Sequence, residues 1–245
     1  MNILNNGLFS RLLQENTIET GSNVYYAVLI GFIVFSAVIS YLLGSLNSSI
    51  IVSRILHGED IRNHGSGNAG LTNTFRTYGK SAAALTLLGD MLKTALSILI
   101  TAVLFGFSYK NGISMSGFCY LSGLFAVLGH VFPVFYKFKG GKGVLVTATM
   151  ALILTPWVFV ALIIIFIVIL LTTEYVSLGS IIVATLFPFA VCAYSYFLGG
   201  GLPVLTAVCS VALGIFVIWC HRSNISRLRN GTEKKIKVCL STKKD

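Results

Sequence analysis

Seven apolar segments separated by polar stretches dominate this chain of 245 residues and restrict what it can fold into. A helix that spans a bilayer needs about 20 apolar residues, and one of the seven segments, residues 143–155, is shorter than that. Charged residues make up only 11% of the chain, whereas soluble domains carry roughly 25%. The pattern therefore predicts an all-α integral membrane protein with seven membrane helices, one of them short. We place these helices at residues 24–46, 81–107, 116–136, 143–155, 157–173, 177–198 and 204–220.

The basic residues are distributed asymmetrically, and this predicts how the chain lies in the membrane. Lys and Arg concentrate in the cytoplasmic loops of membrane proteins. Here fifteen of the 18 fall within residues 54–80, residues 137–142 and the tail after His221. These regions are therefore predicted on the cytoplasmic side, with the N-terminus outside and the C-terminus cytoplasmic. If residues 143–173 formed one long tilted helix, the tail would face outward, against this asymmetry.

The same reasoning divides the chain into parts and excludes one class of partner. We expect an N-terminal extramembrane segment at 1–23, a single transmembrane helical domain with cytoplasmic active-site loops at 24–221, and a basic cytoplasmic tail at 222–245. The net charge of +10 is then explained by membrane orientation. No binding of nucleic acid is predicted.

The segment from Lys137 to Val144 reads Lys-Phe-Lys-Gly-Gly-Lys-Gly-Val and lies between two apolar runs. Gly140, Gly141 and Gly143 would allow backbone N–H groups to approach an anion closely. A helix that begins at Gly143 would point its positive end at the same anion, and Lys142 would add a mobile charge. The segment predicts a phosphate-binding loop at the membrane surface. The alternative is a basic loop that only sets orientation, but orientation requires charge and not glycine.

Residues 65–76 form a second segment rich in glycine and in small polar side chains. Ser66, Asn68 and Asn73 offer uncharged hydrogen bonds, and Arg76 offers a planar guanidinium suited to phosphate. The alternative is a flexible loop with one surface arginine. The concentration of hydrogen-bonding residues favours a binding role.

Two further sets of polar residues lie in or beside the predicted spans. Asp90 and Lys93 are three residues apart and share one helix face, where they mark either a protein-lined cavity or a structural ion pair. After the last span, His221, Asn224 and Arg227 share a face of a basic helix. The alternative is that this basic helix only marks the end of a membrane span. Membrane orientation requires basic residues, however, and does not require His221 or Asn224.

Several catalytic patterns are absent from the sequence. No His is followed by Asp at the fifth position, as in a well-known class of acyltransferases, and neither a GxSxG turn nor a GxxxxGK[ST] loop occurs. The carboxylates near the loops do not show the spacing of a divalent-metal site, and the five cysteines show no metal-ligand spacing. We therefore expect no cofactor and no metal.

These motifs together resemble the acyl phosphate:glycerol-3-phosphate acyltransferase family (PlsY type) of bacterial membranes. The matching segments are Gly44-Ser45, Ser66 to Arg76, Asp90 with Lys93, Gly129 to Gly143, Ser177 to Ser180, and His221 to Glu233. The sequence departs from the family pattern at Leu46-Asn47, where members usually have proline, within residues 66–73, and in its longer N-terminus.

The resemblance implies transfer of a fatty acyl group from acyl phosphate to the 1-hydroxyl of glycerol 3-phosphate. Lysophosphatidate and phosphate are the products, no acyl-enzyme forms, and the substrate's own phosphate acts as the base. The implied catalytic residues are Ser66, Arg76, Lys142, His221 and Asn224. The implied substrate-binding residues are Ser45, Asn68, Asn73, Lys93, Gly140, Gly141, Gly143, Ser177 and Arg227.

The resemblance also implies a multi-pass protein of the bacterial cytoplasmic (inner) membrane. A second copy of the chain and the enzyme that makes acyl phosphate are both left open as protein partners. Two alternative functions remain: an anion transporter or channel, and an acyltransferase that uses an acyl thioester. A transporter requires polar access from both sides, whereas the polar loops here are predicted on one side.

Overall fold

The computed structural model describes residues 3–15, 17–106, 109–110, 113–114, 116–198, 201 and 203–236. Apart from an antiparallel pair of two-residue strands, β1 (Tyr109–Lys110) and β2 (Ile113–Ser114), its regular elements are helices. The α-helices are α1 (Ile3–Gln14), α2 (Asn23–Ser45), α3 (Ser48–His57), α4 (Leu71–Phe105), α5 (Ser116–Val131), α6 (Val144–Leu154), α7 (Pro156–Thr173), α8 (Val176–Phe197), α9 (Val204–Cys220) and α10 (Arg222–Arg229). Short 3-10 helices occur at Ile61–Asn63 and Val134–Tyr136. The predicted all-α membrane fold is confirmed.

The predicted membrane segments correspond to helices of the structure. Within the part of the chain that the structure describes, 5 helical stretches can cross a membrane by length and composition, or 6 if α9 and α10, which are bent by 54° to each other, count as one. The predicted short segment is α6, which has 11 residues. The count of seven crossings and the outside position of the N-terminus stay predictions.

The first predicted span, 24–46, corresponds to α2, and the chain becomes helical again at Ser48 after a short break. Asn47 causes the break because its side-chain Oδ1 accepts a hydrogen bond from the Ile50 N–H at 3.1 Å and so caps α3. Its Nδ2 donates to the Ala69 carbonyl at 3.3 Å, which ties α3 to the loop that follows. Gly58 ends α3 in the left-handed conformation, with φ of 69°.

The second predicted span, 81–107, begins ten residues earlier than expected. Helix α4 starts at Leu71 and is broken at Gly79, where φ is 80° and ψ is −165°. Only residues 58–70 of the predicted loop 54–80 lie between helices. The polar residues of the first turns misled the prediction because they bond inward: the Thr74 hydroxyl, for example, lies 2.7 Å from that of Ser49.

Helices α2 and α5 form the closest helix pair of the bundle. A Cβ atom added to Gly44 would lie 2.2 Å from the Ala126 carbonyl oxygen, and one added to Gly129 would lie 2.2 Å from that of Tyr41. The backbones therefore approach to a distance that only glycine permits at these two positions, as is common between membrane helices. A hydrogen bond of 2.8 Å between Ser40 and Ser122, whose side chains are both buried, joins the same two helices.

Aromatic residues close the end of the bundle at which α2 and α5 begin and α4 ends. Phe105 stacks on Phe118 with ring centroids 4.1 Å apart, and Phe9 of α1 lies 6.2 Å from Phe105. The N-terminal segment, predicted as extramembrane, thus forms a helix that packs on the bundle; its position relative to the membrane stays a prediction. The loops with the predicted binding residues gather at the other end.

Candidate functional site

A cavity of about 810 Å³ extends from the loop end of the bundle into its interior, between α4, α6, α7, α8 and α9. One end of the cavity is polar and is lined by Ser66, Asn68, Arg76, Lys142, Ser177, His221, Asn224, Arg227 and Glu233. The remainder is mostly apolar, and its apolar lining includes Leu87, Met91, Leu152, Phe159, Leu162, Phe166, Phe187 and Leu213. All five predicted catalytic residues thus line the polar end of the cavity.

A chain of hydrogen bonds crosses the polar end of the cavity. The Lys142 ammonium donates to the Asn224 side-chain oxygen, and the Asn224 amide donates to Glu233 at 2.6 Å. The other oxygen of Glu233 accepts from Arg227 Nε, also at 2.6 Å. The chain brings the loop before α6 into contact with α10 and the segment after it. Two of the predicted cytoplasmic regions therefore lie on the same side of the bundle.

Burial shifts the pKa values of Lys142 and Glu233, two residues of this hydrogen-bond chain. It lowers the pKa of Lys142 to about 8, and the neighbouring Arg227 cation contributes to the lowering. Burial opposes ionisation of Glu233 as well, but hydrogen bonds from Asn224 and Arg227 outweigh it and hold the pKa of that carboxyl below its usual value. The Ser177 hydroxyl faces the same carboxylate at a geometry short of a full hydrogen bond. Lys142 can therefore lose its charge near physiological pH, whereas Glu233 stays ionised.

The loop before α4 is shaped by Asn73, which is almost fully buried. Its side-chain oxygen accepts from the Ser66 N–H at 2.9 Å, and its amide donates to the carbonyls of Ile61 and His64 at 3.3 and 3.0 Å. Its polar atoms are thus engaged by the loop, so Asn73 shapes the loop that presents Ser66. Ser66 itself is exposed at the cavity.

Arg76 contacts the chain segment that follows α10. Its Nη2 donates to the Lys234 carbonyl at 2.9 Å. The Ile236 N–H donates to the Glu174 carbonyl at 2.9 Å, and the side chains of Lys235 and Glu174 pair at 3.3 Å. Residues 233–236 therefore run from the polar end of the cavity to the turn between α7 and α8.

The glycines of the segment from Lys137 to Val144 differ in their roles. The Gly140 N–H donates to the Val131 carbonyl at 3.0 Å and the Gly141 N–H to the His130 carbonyl at 3.1 Å. Neither residue lines the cavity, so the prediction that their amides face an anion does not describe this structure. Both are required for close packing: an added Cβ would lie 2.0 Å from the His130 carbonyl oxygen at Gly140 and 2.1 Å from His130 Nε2 at Gly141.

Gly143 does line the cavity and begins the helix that forms part of its wall. Its φ is 80°, in the left-handed region, and no side chain caps α6 at this point. The N–H groups of the first turn of α6 are thus free of a side-chain cap at the polar end of the cavity, as the sequence predicted for an anion site.

Lys93 and Ser45 were predicted to bind substrate, but both are buried and outside the cavity lining. The Lys93 ammonium forms an ion pair with the Asp90 carboxylate at 2.8 Å, and it lies within hydrogen-bond distance of His130 Nδ1 and of the Leu46 carbonyl, both at 3.0 Å. The Ser45 hydroxyl donates to the Tyr41 carbonyl at 2.8 Å. The structure therefore has a buried ion pair between Asp90 and Lys93, and because Asp90 also lines the cavity, both interpretations of these two residues apply.

His221 lies at the polar end of the cavity, where α9 meets α10, and is buried. Its Nδ1 lies 2.8 Å from the Val217 carbonyl. Because a carbonyl only accepts, Nδ1 carries the proton and Nε2 is the acceptor in the neutral ring. A backbone carbonyl rather than a carboxylate thus orients this histidine.

Sequence reasoning did not assign a role to Glu233 and did not place His130 in the lining of a cavity. Glu233 ends the segment that carries the family resemblance, and a lone carboxylate among so many cations was a usable signal. The position of His130 beside Lys93 had no signal, because it depends on how α4 and α5 pack.

Comparisons with known proteins identify the family of this chain. Residues 34–231 match the sequence model of one family, described as glycerol-3-phosphate acyltransferase. The glycerol-3-phosphate acyltransferase of Listeria monocytogenes serotype 4a (strain HCC23) is 38% identical over 205 residues, which cover 84% of this chain and 97% of that protein. The one of Syntrophomonas wolfei subsp. wolfei is 43% identical over 199 residues, which cover 81% of this chain and 94% of that protein.

Two solved structures are also similar. The glycerol 3-phosphate form of PlsY (YgiH), an integral membrane glycerol 3-phosphate acyltransferase, has a TM-score of 0.71 and 33% identity over 83% of this chain and 95% of that chain. Its lysophosphatidic acid form has a TM-score of 0.69 and 31% identity, with the same coverage. This chain therefore belongs to the glycerol-3-phosphate acyltransferase family and is a multi-pass membrane acyltransferase.

Proposed function

We propose that this protein transfers a fatty acyl group from acyl phosphate to the 1-hydroxyl of glycerol 3-phosphate. The observation that carries the proposal is the division of the cavity into a cationic end and an apolar interior. Acyl phosphate needs both, since it joins a phosphate to a hydrocarbon chain. The relatives named above carry the glycerol 3-phosphate part of the activity in their names, and PlsY has been solved with lysophosphatidic acid.

The residues at the polar end of the cavity would bind two phosphate groups, one from each substrate. Lys142, Gly143 and the first turn of α6 would hold the acyl phosphate, with the acyl chain among the apolar residues of α7 and α8. Ser66, Asn68 and Arg76 would contact substrate phosphate from the opposite loop. Ser177, His221, Asn224 and Arg227 would line the glycerol 3-phosphate side. Glu233 would keep Asn224 and Arg227 oriented, because it binds both.

The reaction itself requires positioning more than activation. The 1-hydroxyl oxygen forms a bond to the carbonyl carbon of acyl phosphate, and the bond from that carbon to the phosphate oxygen breaks. Phosphate leaves with the electron pair, and the hydroxyl proton passes to a substrate phosphate. Holding the two reactants together lowers the barrier by several kcal/mol. Cations near the carbonyl and phosphate oxygens stabilise the charge that develops there.

An acyl-enzyme is not part of this proposal. Among the described cavity residues, the hydroxyls of Ser66 and Ser177 have no histidine hydrogen-bonded to them, and a serine nucleophile requires such a base. His221 is the nearest protein base, but the Val217 carbonyl rather than a carboxylate orients it. A substrate phosphate therefore remains the proposed base.

The proposal also includes the membrane in which the protein lies and its orientation there. The polar end would face the cytoplasm of a bacterium, from the inner membrane, with the N-terminus outside. The division at 1–23, 24–221 and 222–245 is retained with α10 as the start of the tail. The partner is the enzyme that forms acyl phosphate or a second copy of the chain.

The test uses purified protein in lipid nanodiscs with glycerol 3-phosphate, without added metal, and compares acyl phosphate with acyl-CoA. We expect lysophosphatidate only from acyl phosphate. Lys142→Ala and Arg76→Ala should each reduce kcat/KM at least a hundredfold, about the 3 kcal/mol typical of one lost charged contact in a transition state. Arg54→Ala, which removes an exposed arginine outside the cavity lining, is the matched control. Equal rates with acyl-CoA would refute the donor, and uptake of phosphate into sealed vesicles without acyl transfer would favour a transporter.

A further inference from the structure

Arg62 connects the two loops that carry the proposed phosphate ligands. It belongs to the loop before α4, which presents Ser66, and its Nη1 donates to the carbonyls of Tyr136 and Lys139 at 2.8 and 2.9 Å. Those two residues belong to the segment that leads to Lys142. Arg62 does not line the cavity itself.

The Arg62 side chain is fixed from its own loop. Its Nε and Nη2 donate to the two carboxylate oxygens of Asp60 at 2.9 and 2.8 Å, a two-pronged pair of defined geometry. The Arg62 guanidinium holds the pKa of the Asp60 carboxyl well below its usual value. Ile61, between them, is fully buried, and its N–H donates to the Ser53 hydroxyl at 3.1 Å.

The hydrogen bonds that Arg62 donates to the segment before Lys142 stabilise a strained turn. Lys137 and Phe138 have φ values of 57° and 56°, in the left-handed region that side chains other than glycine rarely occupy. The two carbonyls that Arg62 binds, those of Tyr136 and Lys139, flank this pair on either side. Such a conformation persists only where neighbouring groups determine it. Within the described chain, three backbone N–H groups of this turn also form hydrogen bonds: those of Tyr136 and Phe138 donate to the Pro133 carbonyl, and that of Lys139 donates to the Tyr136 carbonyl.

We propose that Arg62 is a positioning residue for acyl transfer: it holds the left-handed turn at Lys137 and Phe138 and thereby fixes Lys142 relative to the loop that presents Ser66. The kinetic part of this proposal rests on the proposed function, because it takes Lys142 as a ligand of acyl phosphate. The structural part, that the turn depends on Arg62, does not.

The chain offers a matched control for Arg62. Arg54 also pairs with Asp60, at 2.8 Å, but its side chain is half exposed. Among the described residues it donates no hydrogen bond to the other loop, and its contact there is its guanidinium carbon 5.4 Å from the centre of the Tyr136 ring. Arg62→Ala should lower kcat/KM for acyl phosphate at least tenfold, mainly through a higher KM, whereas Arg54→Ala should stay within twofold of the unmodified protein. Arg62→Lys should lie between, because an ammonium can reach the carbonyls but cannot form the two-pronged pair. Equal effects of Arg62→Ala and Arg54→Ala, or a loss of active protein with unchanged KM, would overturn the proposal.

A second measurement is independent of activity. Hydrogen exchange of a peptide covering residues 137–143, followed by mass spectrometry without substrate, reports the amides of Gly140 and Gly141, which bond the carbonyls of Val131 and His130. Exchange should be faster in Arg62→Ala and unchanged in Arg54→Ala; unchanged exchange in Arg62→Ala would contradict the inference. If acyl phosphate proves not to be the donor, the exchange result still decides the role of Arg62. If Arg62→Ala does not fold, Arg62→Lys supplies both measurements.

Discussion

The charge of Lys142 makes the proposed activity dependent on pH in a calculable way. Burial lowers the pKa of this side chain to about 8. With that value, about 90% of the free protein carries the Lys142 cation at pH 7 and about 10% at pH 9. If the cation binds acyl phosphate, kcat/KM, which reports the free protein, should fall roughly tenfold between these pH values. A bound phosphate stabilises the cation, so kcat at saturating donor should fall less.

The direction of the effect separates loss of binding from loss of structure. The folded protein holds the pKa of Lys142 below its ordinary value of 10.5, so between about 8 and 10.5 the unfolded chain binds more protons at this residue. Stability from this group therefore rises with pH in that window. Unfolding caused by this group cannot explain an activity that falls between pH 7 and pH 9.

The assay measures initial rates of lysophosphatidate formation from pH 6.5 to 9.5, with hydrolysis of the donor subtracted. Phosphate monoesters have a second pKa near 6, so glycerol 3-phosphate keeps its charge over most of this range. Lys142→Arg is the control, because a guanidinium stays charged throughout, and its fall between pH 7 and 9 should be less than twofold whatever its absolute rate. A flat profile for the unmodified protein, or an equal fall in Lys142→Arg, would refute the reasoning.

Two predictions concern the bundle that supports the site, and each is measured as the midpoint of thermal unfolding in one detergent. Gly129→Ala should destabilise by about 1–3 kcal/mol, because the new Cβ would lie 2.2 Å from the Tyr41 carbonyl oxygen, whereas Gly31→Ala, with no atom within 4 Å, should be neutral or slightly stabilising; equal midpoints would show that α2 and α5 can separate without cost. Lys93→Met should cost about 3–5 kcal/mol because it leaves the buried Asp90 carboxylate without its cation, and adding Asp90→Asn should recover most of the loss; a double variant as unstable as the single one would contradict the ion-pair explanation.

The sequence was sufficient to locate the apolar helices along the chain and to predict that the loop before α6 and the basic tail lie at the same end of the bundle. Both follow from one-dimensional quantities, namely the length of apolar runs and the positions of Lys and Arg. The contact between Lys142 and Asn224 agrees with the predicted grouping of the loop before α6 and the basic tail. The start of α4 was predicted less well, because the buried polar face of its first turns has the composition of a loop.

The residues that the sequence misassigned share a physical property, which is that their role depends on how closely two helices approach. Gly140 and Gly141 are read in sequence as sources of free amides, but the distance of either Cβ position to His130 shows that they are required for packing against the end of α5. Lys93 is read as a ligand, yet the packing of α4 against α5 supplies His130 as one of its acceptors. The role of Arg62 was missed for the same reason. In the sequence it is one of many cations near the membrane surface, and only the folded structure brings it to the carbonyls of Tyr136 and Lys139. A charge pattern identifies where anions gather, whereas the assignment of each cation to a substrate or to the protein is decided by distances between segments that are far apart in the chain.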